Sequence, residues 1–201
     1  MKFLRSRKFD FPAEFKIGDS DVLDVFSTLK ILGIQIQSDL KWNAQCQQMI
    51  ARASSKLWII RRMKALGLDQ RTLVKYWASE GRIHLEACTA LWNGSISRAQ
   101  SRDLEKVQRL ALSTITSWTL PYQDQLDLLG LEKLDFRRNK LCLTFARRTA
   151  STSRHKNIFQ ETDNAHNTRN KLKTYIEPRA RTTAYQNSAV PYLTRLLNSK
   201  K

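Results

Sequence analysis

Arg137, Lys140, Arg147 and Arg148 carry the clearest chemistry in this sequence. At about 100° per residue on a helix, the four fall within an arc of roughly 100°. Guanidinium and ammonium groups on one arc suit phosphate oxygens, which arginine grips through paired N–H donors. Leu134, Leu141 and Phe145 occupy the neighbouring arc, so one side of the same helix can pack while the other faces a polyanion. The plainer reading of such a run is a solvated helix face. Arg61, Arg62 and Lys64 form a second cationic group near a helix end, where positive charge also answers the helix dipole. Trp58, Trp77, Trp92 and Trp118 offer indole faces that could stack on bases, or, at helical spacing among Leu and Ile, fill a core.

Catalytic patterns are missing. Asp19 and Asp21 alternate on an extended stretch and could share a metal, but beside Gly18 and Ser20 they also read as turn residues. There is no adjacent Asp-Asp pair, no Gly-rich phosphate loop, no G-x-S-x-G elbow and no H-E-x-x-H helix. Cys46, Cys88 and Cys142 are odd in number and widely spaced, and His84, His155 and His166 do not complete a zinc pattern. We assign no catalytic residue, no metal and no cofactor. Unpaired cysteines fit a reducing, intracellular setting, nuclear or cytoplasmic.

The elements that would carry these residues follow from periodicity. Residues 9–36 read as extended: Phe9, Phe11 and Phe15 alternate with polar positions, Pro12 and residues 18–21 punctuate, and residues 29–36 complete an antiparallel hairpin or meander. Over 42–66 the period becomes helical, with Trp42, Cys46, Met49, Ala53, Leu57, Ile60 and Met63 on one face and Gly67 as the stop. Asp69 caps a second helix that reaches about Gly81, and residues 84–92 continue it after a break. Ser97 and Gln100 have capping-box spacing and open a helix whose face bears Leu104, Val107, Ala111, Ile115 and Trp118. A short helix carrying Leu126 and Leu129 ends at Gly130, and a strong one spans 134–150. Residues 151–187, rich in Ser, Thr, Asn, Arg and Lys, read as a loosely ordered basic linker, followed by a short helix over 190–197 that docks back. The expected fold is mainly α: a β segment over 1–40, a helical bundle over 41–150 and a basic tail over 151–201.

Charge narrows the partner. The 201 residues hold 35 Lys and Arg against 18 Asp and Glu, a net charge of +17. The excess avoids residues 1–40, which balance, and falls as +10 on 41–150 and +7 on 151–201. Such self-repulsion is relieved by a polyanion, so RNA, DNA or their hybrid is the natural partner. A membrane is not expected, because no apolar run approaches the about 20 residues a span requires.

Several segments, in order, resemble the downstream end of jockey-like, non-LTR retrotransposon reverse transcriptases. They are residues 29–36 (Leu-Lys-Ile-Leu-Gly-Ile-Gln-Ile), 40–43 (Leu-Lys-Trp-Asn), Trp92, 104–111 (Leu-Glu-Lys-Val-Gln-Arg-Leu-Ala), 129–134 with Arg137 and Arg138, and 190–197 (Val-Pro-Tyr-Leu-Thr-Arg-Leu-Leu). The resemblance implies that Lys30, Leu32 and Gly33 belong to a primer-grip-like strand closing a polymerase palm. Gly33 would let backbone or primer approach closely. It further implies that the helices beyond form a thumb-like region holding a template–primer duplex. The fingers and palm, with the aspartates that bind two catalytic metals, would lie upstream of Met1, so the chain is expected to bind but not to polymerise alone. A protein supplying the missing palm is a further implied partner. A protein-interaction module and a non-functional truncated copy of such an element remain as alternatives.

Overall fold

Two antiparallel hairpins precede a series of helices in this computed structural model, which describes residues 15–17, 21–23, 26–162 and 174–199. Phe9, Phe11 and Pro12, the turn residues Gly18, Asp19 and Ser20, and residues 163–173 of the tail lie outside the described residues. The chain is mainly α, as its periodicity predicts, and divides into two compact units, 1–49 and 50–201. Among the described residues no helix is long and apolar enough to cross a membrane.

In the first unit β1 (Phe15–Ile17) pairs with β2 (Asp21–Leu23), and β3 (Thr28–Ile31) with β4 (Ile34–Gln37). Of the expected hairpin or meander, the hairpin is what forms, as two separate two-stranded sheets. Leu32 and Gly33 join β3 to β4 with φ of +48° and +84°. Positive φ at both central positions is the type I′ geometry, whose twist matches that of the strands. The hairpin is tied to the start of the first helix: Gln35 N–H donates to Gln45 Oε1 at 2.8 Å, and Ala44 N–H donates to Gln37 Oε1 at 2.9 Å.

Helix α1 (Asn43–Ala65) buries Cys46, Met49, Ala53, Leu57 and Ile60, the face its spacing predicts. It ends where Gly67, at φ +81°, lets Leu68 N–H reach Met63 O (3.2 Å) and Gly67 N–H reach Lys64 O (3.0 Å). Asp69 then caps α2 (Gln70–Tyr76) by accepting from Thr72 N–H at 3.2 Å. The predicted break after Gly81 is not there. A π-helical turn (Trp77–Gly81) carries α2 straight into α3 (Arg82–Glu86). The reason is steric: the fully buried Trp77 indole lies on Gly81, where a Cβ would sit 2.1 Å from Cε3. Glycine here makes room for a ring rather than ending a helix.

After α4 (Thr89–Trp92), α5 (Arg98–Ile115) opens on the predicted capping box, Gln100 N–H to Ser97 Oγ (3.1 Å) and Ser97 N–H to Gln100 Oε1 (2.7 Å). Leu104, Val107, Ala111 and Ile115 are buried, but the helix stops at Ile115, so Trp118 leaves the predicted face and is 67% exposed. α6 (Tyr122–Leu129) packs on α5, and α7 (Leu134–Ser151) packs on α4, α5 and α9 (Ala189–Ser199). The predicted loose linker is, over its described parts, docked. A 3-10 turn (Ser153–Ile158) lies against α7, Glu161 bridges to Tyr175, α8 (Thr183–Gln186) packs on α9, and Phe159 is buried with Cys142, Ala146 and Leu193. Apolar residues are sparse in this stretch, but the few present converge on one cluster, which composition does not register.

Candidate nucleic-acid interface

Helix α7 presents Lys140, Arg147 and Arg148 to solvent and leaves Arg137 half-buried, although its packing face is not the expected one. Leu134, Arg138, Cys142 and Ala146, spaced four apart, are buried together with Leu143. Leu141 is half-buried and Phe145 is 50% exposed. The buried arc is therefore turned by roughly 90° from the Leu134–Leu141–Phe145 arc. Arg138 is the cause. Its guanidinium donates to Asn93 Oδ1 (2.9 Å) and Ser101 Oγ (2.7 Å) and lies over the Trp92 ring, so a formal charge occupies the core side. Hydropathy spacing treats such a residue as solvent-facing.

The four predicted cations of α7 are not equivalent. Arg137 donates to Glu86, whose Oε1 also lies 3.1 Å from Arg82 Nε, an ion pair without hydrogen-bond alignment. Burial pulls the Arg82 pKa down, and Glu86 opposes that shift. Lys140 pairs with Glu132 at 3.2 Å. Arg147 and Arg148 are exposed and have no carboxylate partner among the described residues. The positive face is thus largely neutralised at its N-terminal end and open at its C-terminal end.

A similar division applies to α1. Arg61 and Arg62 are exposed without a carboxylate partner among the described residues. Lys64, three and two residues further on, is committed elsewhere. Its ammonium donates to the carbonyls of Thr114 (2.7 Å), Ile115 (3.1 Å) and Thr116 (3.0 Å), closing the C-terminus of α5. These are orphan carbonyls at the negative end of a helix dipole. Trp58, one turn before Arg61 and Arg62, is 67% exposed, whereas Trp77 and Trp92 are fully buried. Burial lowers the His84 pKa first, and Lys56 and Arg52 of α1 lower it further, with Glu80 opposing them.

Lys30, Leu32 and Gly33 lie together at the tip of the β3–β4 hairpin, in the first unit. Leu32 is 97% exposed in a left-handed conformation that costs a branched L-residue about 1 kcal/mol. A Cβ on Gly33 would meet nothing within 4 Å, so φ rather than close approach within this chain demands glycine. Asp19 of the weighed metal pair lies outside the described residues, and among those described no three His, Cys, Asp or Glu side chains converge.

Sequence reasoning missed Glu86, Arg138 and His155. The first two are ordinary in sequence and acquire meaning from partners about fifty residues away. His155 lies on a turn that docks beside Phe145 and Arg148. Against protein-family models, curated proteins and solved structures, the chain finds no match.

Proposed function

We propose that this chain is a nucleic-acid-binding helical module, related to the post-palm, thumb-like region of a non-LTR retrotransposon reverse transcriptase, that holds a template–primer through its phosphate backbone. The observation that carries the reading is the two pairs of exposed guanidiniums, Arg61–Arg62 and Arg147–Arg148, left without carboxylate partners among the described residues of a chain with net charge +17. Three other cations of the same helices are engaged, Lys140 by Glu132, Arg137 by Glu86 and Lys64 by three carbonyls, while Arg52 of α1 is exposed without a carboxylate partner among the described residues, like the two pairs. Unpaired forks, rather than total charge, mark where a phosphate would sit.

The test is fluorescence-anisotropy titration of an RNA–DNA hybrid, duplex DNA and single strands over a salt series. Binding should weaken with salt at a slope of about 0.9 per duplex phosphate contact. Charge reversal at Arg61, Arg62, Arg147 and Arg148 should weaken every complex while leaving the circular-dichroism spectrum unchanged. Unaltered affinity in that variant would refute the assignment of the site. A hybrid preference would support the template–primer reading over general backbone binding.

A second reading, a protein-docking role, has its own observation. The hairpin unit exposes Phe26, Leu29, Ile31, Leu32 and Leu40, and β3 and β4 form a two-stranded sheet whose edges suit strand addition by a partner, such as one supplying a palm. Association with a protein that survives high salt would favour it.

A further inference from the structure

Where α7 meets the 3-10 turn Ser153–Ile158, the surface forms an open groove of about 420 Å³. Leu141, Phe145 and Arg148 line it from the helix, with Thr144 and Thr149, and Thr152 and His155 face them from beyond its end. Phe145, half exposed, supplies an aromatic face one turn from a guanidinium. Two hydroxyls are already committed as donors: Thr144 Oγ1 donates to Lys140 O at 2.9 Å and Thr152 Oγ1 to Arg148 O at 2.8 Å. Donation to an incoming group therefore falls to Arg148, which has no carboxylate partner among the described residues, and to the side chains of Thr149 and His155. Arg147 adds a second open charge beside it, and among the described residues no carboxylate lines the groove.

We propose that this groove seats one unpaired nucleotide of a single-stranded nucleic acid, with its base against Phe145 and its phosphate on Arg148. The inference rests on the nucleic-acid reading above and sharpens it. A duplex keeps its bases stacked on one another and offers this surface only phosphates, whereas a single strand offers a free π face beside each phosphate. The pairing of an exposed ring with a guanidinium that has no carboxylate partner among the described residues, in a concave, mostly apolar site, matches the second and leaves the ring idle for the first. An acidic peptide would meet the guanidinium, but the continuation of positive charge through Arg147 suits a repeating phosphate backbone better.

The experiment compares an oligothymidylate with a duplex of equal length, both titrated by anisotropy at one ionic strength. The proteins are the wild type, Phe145→Ala, Phe145→Tyr, Arg148→Gln and the control Phe136→Ala, which removes another exposed ring of α7 outside the groove. Loss of a stacking ring should weaken single-strand binding by about fivefold or more. Phe145→Ala should show that loss on the single strand with the duplex changed less than about twofold, the range of an unrelated surface substitution. Phe145→Tyr should retain affinity, Phe136→Ala should match wild type, and Arg148→Gln should weaken both ligands. Phe145→Ala indistinguishable from wild type on the single strand, or equally weakened on both ligands, would overturn the seat while leaving backbone binding standing. A wild-type chain that binds neither ligand would overturn both readings.

Discussion

Replacing Lys64 with Met separates two roles that its position near Arg61 and Arg62 blurs. The substitution keeps the unbranched stem and a similar helix propensity but removes the ammonium that donates to Thr114, Ile115 and Thr116 carbonyls at 2.7, 3.1 and 3.0 Å. A hydrogen bond to a charged group contributes about 1.5–3 kcal/mol when desolvated. Lys64 is exposed and water can replace it at those carbonyls, so the three bonds together contribute far less than three times that. Ordering the side chain costs up to about 2 kcal/mol. A cation at a helix C-terminus contributes about 0.3–1 kcal/mol. The net expectation is a loss of about 1–2 kcal/mol, which for a chain of this size lowers Tm by about 2–8 °C. Urea and thermal melts measure the stability, and anisotropy over a salt series measures the contacts. A phosphate-binding lysine would lower the salt slope by about one unit when removed. The structure requires the melt to change and the slope to stay, with Arg148→Met showing the reverse. A stable Lys64→Met variant with a shallower salt slope would refute the assignment of Lys64 to the end of α5.

Other expectations follow from the packing. Gly81→Ala should destabilise the protein in urea melts, because helix propensity favours Ala by about 1 kcal/mol, whereas overpacking a buried indole costs up to about 3 kcal/mol; equal or higher stability would show that Trp77 can move aside. Glu86→Gln should cost about 2–3 kcal/mol, near or below the range for breaking a buried pair, while freeing Arg137, so duplex affinity should rise as the melting point falls. Burial raises the Tyr192 pKa to about 12, with Cys142 adding to it, and burial raises Tyr122 as well. A folded pKa above the usual value of 10 means that this stability is complete below pH 10 and is lost as pH climbs toward 12. Phenolate absorbance should show a late-titrating fraction that merges with the unfolding transition, and Tyr192→Phe should flatten that alkaline limb.

Much of the helical scaffold is legible in the residues alone. The α1 face from Cys46 to Ile60, the Asp69 cap, the Ser97–Gln100 box and the stops at Gly67 and Gly130 are interactions within about a turn of chain, so spacing encodes them directly. Where those local rules were extrapolated, they failed for physical reasons. Trp118 left its face because α5 ends at Ile115, where Lys64 from another helix meets the carbonyls. The α7 face rotated because Arg138 enters the core with polar partners from α5 and the residue 93 loop.

The candidate site divides along the same line. That Arg137, Lys140, Arg147 and Arg148 share one side of a helix is a property of their spacing. Which of them keeps its charge open is not, because Glu86, about fifty residues earlier, meets Arg137 and Glu132 meets Lys140 only after the chain has folded. Sequence alone determined the sign of the surface and the helices that bear it. Tertiary structure decided which charges are neutralised, which aromatic rings stay exposed and where a groove forms beside them, since Glu86 reaches Arg137 across about fifty residues and the groove exists only once the turn after α7 folds back on that helix.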